Sequence, residues 1–205
     1  HLLMRAETDG IVCSGADKKG TATYALLDER APHGEEPSRE EALARLARIY
    51  FRSHSPATLA DFTWGSGLTA TEARRAVASI AEELTTEHFG DREFFVFRNA
   101  AAAAPCDTTH LLPAYDQYLI GYKDRSDVLA KEHTSKAFNS YGIFQPVILC
   151  DGQIVGNWKR TAGRGNVTIQ TTLWEDTAPE SLDAAVARYR LFIGGTKSEN
   201  SPEAL

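Results

Sequence analysis

Hydrophobic residues recur at helical spacing in the central part of the chain. The first stripe, at spacings i, i+3, i+4 and i+7, consists of Leu43, Leu46, Ala47 and Tyr50. This spacing places the four side chains on one face of a helix. Ser38 and Glu41 form a capping-box pattern just before the stripe, which predicts that the helix begins there.

Two further helices and a hairpin are predicted next. Thr58 caps a short helix that Gly65 and Gly67 end, and Thr69 with Glu72 begins a third helix. The predicted buried face of the third helix consists of Ala73, Ala76, Val77, Ile80 and Leu84. A tight turn at Gly90 and Asp91 then joins residues 86–89 and 92–97 in a predicted hairpin. Three helices followed by a two-stranded hairpin predict a winged helix-turn-helix.

Strand patterns dominate the last third of the chain. Residues 144–150 and 153–159 flank Asp151 and Gly152, a strong hairpin signal, and 167–174 alternates between apolar and polar positions. A final helix is predicted from the spacing of Leu182, Ala185, Val186, Tyr189 and Ile193.

The start of the chain predicts a helix tail that ends at Gly10, followed by a hairpin of residues 11–15 and 21–27. A helix tail with a hairpin is the second half of a winged helix. Because position 1 is His1 and not Met, we expect that an upstream portion is missing.

These elements together predict an α+β fold. It consists of winged helix-turn-helix modules followed by a small antiparallel β-barrel or sheet domain with a C-terminal helix. The predicted segments are the C-terminal part of a winged helix at 1–32, a linker at 33–37, a winged helix-turn-helix domain at 38–98, a β-barrel-like domain at 107–195 and a loose tail at 196–205.

Composition narrows the function classes. The chain has 205 residues and a net charge of −6, which speaks against a general nucleic-acid binder. Residues 38–98 carry eight bases and nine acids, and 107–175 carry seven of each, so a local basic surface is compatible with the sequence. The scattered Cys13, Cys106 and Cys150 predict reduced thiols in a cytoplasmic protein. We expect a monomer without metal, cofactor or membrane span.

The third helix holds the first candidate DNA contacts. In a DNA-binding winged helix, the early residues of this helix reach base edges in the major groove. Here those residues are Thr69, Thr71, Arg74 and Arg75. The alternative is a solvated arginine pair on the outside of a structural helix.

Two further basic clusters are candidates for phosphate contacts. Lys159, Arg160 and Arg164 follow a strand and are predicted to form a flexible basic loop. Lys18 and Lys19 lie at the tip of the first hairpin. The alternatives are a surface hairpin tip for the first cluster and solubilising lysines for the second.

A tyrosine-rich run at 110–126 combines apolar residues with charged ones. Its notable side chains are Tyr115, Asp116, Tyr122, Asp124 and Arg125. An acid near tyrosines can serve as a general base if burial raises its pKa. We favour a structural role, in which a buried Asp–Arg or Asp–Tyr network holds the barrel-like domain onto the winged helix.

The same run carries a family resemblance. The residues 111–118, Leu-Leu-Pro-Ala-Tyr-Asp-Gln-Tyr, and 121–125, Gly-Tyr-Lys-Asp-Arg, resemble a bacterial winged-helix DNA-binding family. That family includes glycosylases that remove alkylated or crosslinked bases. Residues 50–62, 142–147 and 151–156 are similar to it as well. The resemblance implies tandem winged helices that form a concave face for double-stranded DNA, damaged DNA included.

The resemblance also implies a catalytic motif that this chain lacks. Glycosylases of the family use glutamine-x-glutamine or glutamine-x-aspartate. The glutamines here are Gln117, Gln145, Gln153 and Gln170, and none is followed two positions later by Gln or Asp. No catalytic residue is therefore assigned. Either the motif lies upstream, or the protein is a non-enzymatic relative. A transcriptional regulator and a structural winged-helix module without DNA binding are the alternatives.

The missing glutamine pair leads to a first prediction. We expect the 205-residue chain by itself to release no base from alkylated DNA, because nothing in it matches the motif that positions water. A base-release assay with the purified chain is the measurement. Release above the rate of a protein-free control would contradict the prediction.

Overall fold

The structure, a computed structural model, describes most of the chain. The described residues are 2–31, 34, 36–98, 108–162, 167–175 and 179–195. The chain divides into two compact units, residues 1–42 and 43–205. The domain boundaries expected from the sequence stay predictions.

The first unit contains the predicted helix tail and hairpin. Its elements are α1 Leu2–Thr8, β1 Val12–Ser14, β2 Tyr24–Leu26 and α2 Leu27–Arg30. Gly10 has a φ of +70°, a left-handed conformation that glycine adopts without steric cost and that follows the end of α1. Both strands are shorter than predicted, and β2 ends at Leu26 because the chain enters the one-turn helix α2 there.

Three helices and a hairpin follow in the predicted order. They are α3 Arg39–His54, α4 Leu59–Ser66, α5 Ala70–Ser79, β3 Leu84–Phe89 and β4 Arg92–Phe97. The capping boxes predicted at Ser38 and Thr69 are both present, and Thr58 makes another with Asp61. Each box satisfies backbone N–H groups that the first helical turn leaves without partners.

Two positions of the predicted apolar stripes differ in the structure. Leu46 is 37% exposed, whereas Phe51 is fully buried, so the inner face of α3 includes Phe51 and not Leu46. Leu84 belongs to β3 and not to the third helix, because α5 ends at Ser79 and a 3-10 turn precedes the strand. Both side chains at the end of this stretch, Ile80 and Leu84, are nevertheless buried.

The remaining strands form one antiparallel sheet. They are β5 Thr109–Leu112, β6 Val147–Cys150, β7 Gln153–Ala162 and β8 Val167–Leu173, in the order β5-β6-β7-β8. Among the described residues the sheet is open, which corrects the alternative of a closed barrel. The predicted turn at Asp151 and Gly152 is confirmed, with φ values of 47° and 81°.

The C-terminal helix α8, Leu182–Gly195, packs on the edge strand β5. Arg188 Nη2 donates to the carbonyl of Thr109 at 2.6 Å, and the Thr109 hydroxyl lies 2.6 Å from that of Ser181. Trp158 of β7 contacts the ring of Tyr189 edge-on. These contacts account for the complete burial of Thr109.

Two one-turn helices lie between β5 and β6. They are α6 Gln117–Ile120 and α7 Thr134–Ala137, each four residues long and thus too short to show a helical period in the sequence. They contribute the buried Leu119 and Ala137 to the core of the sheet region. No helix among the described residues is long and apolar enough to cross a membrane.

Gly156 provides a test of the sheet. A Cβ at this position would lie 2.5 Å from the Thr172 carbonyl oxygen of β8, which is backbone and cannot move without breaking the strand pairing. We expect Gly156→Ala to lower the melting temperature by several degrees, since ~1 kcal/mol corresponds to roughly 2–4 °C for a chain of this size.

Gly194→Ala is the matched control, because a Cβ there meets nothing within 4 Å. Thermal melts followed by circular dichroism compare the two variants. Equal melting temperatures would show that the backbone approach at Gly156 is not tight.

Candidate nucleic-acid interface

The outer face of α5 presents the first group of predicted DNA contacts. Thr71, Arg74 and Arg75 are exposed and spaced i, i+3 and i+4, so they share one side of the helix. The opposite side is held in the core by Ala73, Ala76 and Val77. The structure therefore brings together one hydroxyl and two guanidinium groups on an outward face.

Thr69 has a local task at the start of the same helix. Its hydroxyl donates to Glu72 Oε2 at 2.9 Å and accepts from the Glu72 N–H at 3.3 Å. The side chain thereby fixes where α5 begins. A direct contact from Thr69 to DNA stays a prediction.

The second predicted group lies in a strand and not in a flexible loop. Lys159 pairs with Gln170, and Arg160 pairs with Ile169, because the ladder between β7 and β8 continues to Ala162. Both basic side chains are exposed, and as neighbours in a strand they point to opposite faces of the sheet. Arg164 lies outside the described residues.

The third group lies in the first unit. The backbone groups of Lys18 and Thr21 bond to each other at 3.0 and 3.1 Å and close the tip of the turn. Lys19 has a φ of +55°, in the left-handed region. Both lysine side chains are exposed.

A buried carboxylate that the sequence analysis did not single out organises the second unit. Asp61 is 3% exposed. Its Oδ2 accepts from the Thr58 N–H at 2.9 Å and from the Thr58 hydroxyl at 2.6 Å. Its Oδ1 accepts from the backbone N–H groups of Lys123 and Asp124 at 2.8 and 3.3 Å. One oxygen thus caps α4, and the other holds the tyrosine-rich run.

We call the contact of residues 120–124 with α3 and α4 the junction. Three side chains reinforce it by donating hydrogen bonds to backbone carbonyls. Tyr50 donates its hydroxyl to the carbonyl of Gly121 at 2.9 Å, and Trp64 Nε1 donates to that of Ile120 at 3.0 Å. In the reverse direction, the Tyr122 hydroxyl donates to the carbonyl of His54 at 2.9 Å. Residues 120–124 are therefore hydrogen-bonded at successive positions to α3 and α4.

The two tyrosines of the junction have perturbed acidities. Burial raises the pKa of Tyr122 to about 12, with the neighbouring Tyr118 and Asp61 adding to the shift. Burial also raises the pKa of Tyr50, and the charge of Asp61 acts in the same direction. Both hydroxyls are therefore neutral donors at physiological pH and serve as fixed hydrogen-bond donors.

Arg125 lies among aromatic rings next to this junction. Its guanidinium carbon is 5.1 Å from the centroid of Phe138, 5.4 Å from that of Phe144 and 5.8 Å from that of Trp64. Nε donates to the carbonyl of Leu119, and Nη1 donates to that of Lys123 at 3.2 Å. Desolvation by burial lowers the pKa of this arginine. Arg125 thus links the helical layer to the sheet region by cation–π contacts.

The other residues of the predicted network have different roles. Asp116 is half-buried, and its Oδ1 caps α6 by accepting from the Tyr118 N–H at 2.9 Å, so it meets its own helix and not a distant element. Asp124 is exposed and pairs with Arg92 at 3.2 Å. A hydrogen bond from the Ser126 N–H is the main reason that the pKa of Asp124 is lowered. Tyr115 is half-exposed, with a φ of +60°.

The sequence contained one signal for Asp61 and none for its partners in the tyrosine-rich run. The spacing from Thr58 to Asp61 is that of a capping box, a pattern that indicates only a local cap. Its other donors follow 62 and 63 residues later. Among the described residues, no group of three or more His, Cys, Asp or Glu side chains is placed to hold a metal ion.

Comparisons with known proteins place these features in a family context. A family model described as DNA glycosylase AlkZ-like matches residues 1–192. The chain is 31% identical over 160 residues to the interstrand DNA cross-link repair glycosylase of Streptomyces sahachiroi, which covers 73% of this chain and 43% of that protein. The solved structure of Streptomyces sahachiroi DNA glycosylase AlkZ superimposes with a TM-score of 0.72 and 28% identity, over 90% of this chain and 51% of that one. The chain spans about half the length of these relatives.

Substitution of Asp61 tests most directly how much the junction contributes to stability. In Asp61→Asn, the amide can keep one acceptor but turns an NH2 group toward N–H donors. We expect the free energy of unfolding to fall by about 2 kcal/mol or more, because a buried donor without a partner costs about 1–3 kcal/mol. Urea unfolding followed by tryptophan fluorescence measures the loss.

Asp183→Asn, at the start of α8, is the control for removing one carboxylate. Its effect should be only a few tenths of a kcal/mol, as for a charge near an exposed helix end. Similar unfolding midpoints for the Asp61 and Asp183 variants would show that the junction adds little to stability.

The raised pKa of Tyr122 predicts an alkaline loss of stability. The unfolded tyrosine ionises near pH 10, whereas the folded one resists up to about 12. The contribution of the neutral Tyr122 hydroxyl to the free energy of unfolding is therefore fully present below pH 10 and is lost as the pH rises through 12. We expect Tyr122→Phe to be about 1 kcal/mol less stable at pH 8, because it lacks the bond to His54, and to lose less stability between pH 10 and 12.

Urea midpoints measured at pH 8, 10, 11 and 12 compare the parent with this variant. Tyr141→Phe, at a tyrosine that is 89% exposed, is the control and should follow the parent. If the urea midpoint of Tyr122→Phe falls with pH by the same amount as that of the parent, the loss of stability at alkaline pH has another source.

Proposed function

Because the chain belongs to the AlkZ-like DNA glycosylase family, we propose that it is a DNA-repair protein that holds double-stranded DNA while a damaged base is removed. The named relative is an interstrand DNA cross-link repair glycosylase, and cross-linked DNA is therefore the proposed substrate class. In this proposal the chain contributes DNA positioning through the outer face of α5. The proposal assigns no catalytic residue, since none of its glutamines stands in the family's paired motif.

The single observation that carries the proposal is the outward pair of arginines on α5. Residues 38–98 fold into three helices and a hairpin, the order found in a winged helix-turn-helix. In that architecture the third helix enters the major groove. Arg74 and Arg75 then face the DNA, where guanidinium groups can bind phosphates or the edge of guanine.

The hairpin β3–β4 is a poorer candidate for phosphate contact. Glu87, Asp91 and Glu93 are acidic positions in or next to it, and its Arg92 is already paired with Asp124 and Asp127. Negative side chains at the hairpin would repel the phosphate backbone of DNA. The charge distribution thus favours the helix as the DNA-binding element.

Two alternatives make different predictions. A transcriptional regulator would use the same helix on a fixed operator, but none of the reported relatives is described as one. A structural winged helix would pack on protein and bind no DNA. We further propose a cytoplasmic monomer, in keeping with the free thiols of Cys13 and Cys150.

Charge removal on α5 tests the proposal. We expect Arg74→Ala with Arg75→Ala to weaken binding to a duplex by tenfold or more at about 0.1 M salt. The slope of log K against log salt should also become shallower by roughly 1–2, because a complex with fewer phosphate contacts releases fewer counterions. Fluorescence anisotropy at several salt concentrations provides both numbers.

Arg190→Ala, at an exposed arginine on α8, is the matched control and should leave the slope unchanged. An unchanged slope in the double variant would contradict a contact by α5. In that case Lys159→Ala with Arg160→Ala is the next measurement. Absence of duplex binding by the parent chain would favour the structural module.

A further inference from the structure

The four-stranded sheet of the second unit has one covered edge and one open edge. At the covered edge, α8 packs on β5, and Arg188 Nη2 donates to the Thr109 carbonyl of that strand. At the other edge, β8 pairs with β7 alone, and no other described residue hydrogen-bonds to the backbone of its free side. We call this free side of β8 the open edge. Such an edge presents a row of backbone donors and acceptors to a further strand.

The pairing with β7 fixes which backbone groups lie at the open edge. The Trp174 N–H donates to the Val155 carbonyl at 3.0 Å, and the ladder between the two strands continues regularly from there. Bonded residues alternate along an antiparallel ladder, so Gln170 and the other even-numbered residues of β8 bond to β7. The N–H and C=O groups that point outward are therefore those of the odd-numbered residues, Val167, Ile169, Thr171 and Leu173.

The open edge lacks the features with which proteins protect a free strand. Charged side chains, proline and bulges are the usual ones. Residues 167–173 read Val-Thr-Ile-Gln-Thr-Thr-Leu, with no charge and no proline, and their pairing with β7 has no register shift. Five of the seven residues are exposed, and the β-branched side chains favour an extended backbone. The strand is therefore suited to accept a further strand.

The charges beside the open edge indicate which kind of strand it accepts. Residues 153–173 contain three bases and no acid. Two of these bases, Lys159 and Arg160, are exposed, lie opposite Gln170 and Ile169, and point to opposite faces of the sheet. Neither has an ion-pair partner among the described residues. A strand added to β8 would lie about 10 Å from β7, a distance that one of these bases and a glutamate bridge together.

We propose that the open edge binds an extended segment of a protein partner, which adds to the sheet as a fifth strand and carries two neighbouring acidic residues. One acid would lie beside Gln170 and reach Lys159, and the next would lie beside Ile169 and reach Arg160. Backbone hydrogen bonds supply the affinity, and the acids fix the register. The inference goes beyond the proposed DNA contact, because no residue of α5 takes part in it.

Charge and backbone pattern disfavour two other occupants of the open edge. A second copy of the chain, paired through its own β8, would add another Lys159 and Arg160 and bring no acid from residues 153–173. A nucleic acid could neutralise the bases, but it has no alternating N–H and C=O groups that match the outward backbone of β8. An acidic peptide strand satisfies both the bases and the backbone.

Three synthetic peptides test the proposal. They share the pattern Thr-Val-Thr-x-x-Thr-Val-Thr, in which the central pair is Glu-Glu, Gln-Gln or Lys-Lys. Fluorescence anisotropy with the full 205-residue chain at low salt should rank the affinities in that order, with at least tenfold between Glu-Glu and Lys-Lys. Equal affinity for the three peptides, or no binding of any, would overturn the proposal.

A modified peptide separates backbone pairing from charge. N-methyl groups on two neighbouring residues of the Glu-Glu peptide, one for each of its edges, remove backbone donors and leave both carboxylates in place. We expect this peptide to bind at least tenfold more weakly than its parent, because its strand can no longer complete the ladder. Undiminished binding would show that the bases attract any anion, and it would overturn the added strand.

Variants of the chain test the edge and the charges separately. Thr171→Pro removes one outward N–H, at a position where an edge strand tolerates proline, and should weaken the Glu-Glu peptide by threefold or more. Lys159→Glu with Arg160→Glu should invert the order, so that the Lys-Lys peptide binds best. Arg45→Glu with Arg52→Glu makes the same charge change at exposed positions of α3 and should keep the order of the parent. Thermal melts verify that each variant is folded, and an order that the β7 variant does not invert would overturn the assignment.

Sedimentation and competition identify the other occupants. A parent chain that dimerises without peptide, and that Thr171→Pro makes monomeric, would replace the partner by a second copy and overturn the proposal. Complete displacement of the Glu-Glu peptide by duplex DNA, with equal displacement of its N-methylated form, would assign the bases to nucleic acid and overturn it as well. A monomeric parent whose bound Glu-Glu peptide persists in duplex DNA would support the proposal.

Discussion

The buried carboxylate of Asp61 is the constraint on which the second unit depends. Burying a carboxylate is costly unless hydrogen bonds replace its hydration. Asp61 meets that condition with four donors: the backbone and hydroxyl of Thr58, and the backbone N–H groups of Lys123 and Asp124. The two bonds from Thr58 cap the start of α4, and the two from Lys123 and Asp124 join it to a segment more than 60 residues away. Local capping and long-range connection are therefore one interaction.

This junction positions the face of α5 that is proposed to bind DNA. On one side it fixes α4, which a short turn at Gly67 connects to α5 and its outward arginines. On the other side it fixes residues 120–124, and with them the ring of Tyr122 and the carboxylate of Asp124, which line a cleft next to the β3–β4 hairpin. Arg125 adds a second link by lying among Phe138, Phe144 and Trp64. In the proposed function, this connection keeps the arginines of α5 in a fixed orientation toward DNA.

The sequence predicted those features whose cause is local. The capping boxes at Ser38 and Thr69 and the turn at Asp151 each depend on a few neighbouring residues, and all three are present. Interactions between distant residues were not predictable in the same way. Asp61 could be read only as a cap, and Lys159 was placed in a loop because the pairing of β7 with β8 is not visible in either strand alone. The roles of the α5 residues stay predictions, since they depend on a partner that the chain does not contain.

Native-state hydrogen exchange of the Lys123 and Asp124 amides tests the central role of Asp61 most directly. These amides lie in a segment without regular structure, and exposed loop amides exchange through small local openings. If Asp61 holds them, they should exchange only with the most protected amides of α3 and α4, at a free energy near that of global unfolding. Exchange at the rate of an ordinary surface loop, while α3 and α4 stay protected, would contradict the account.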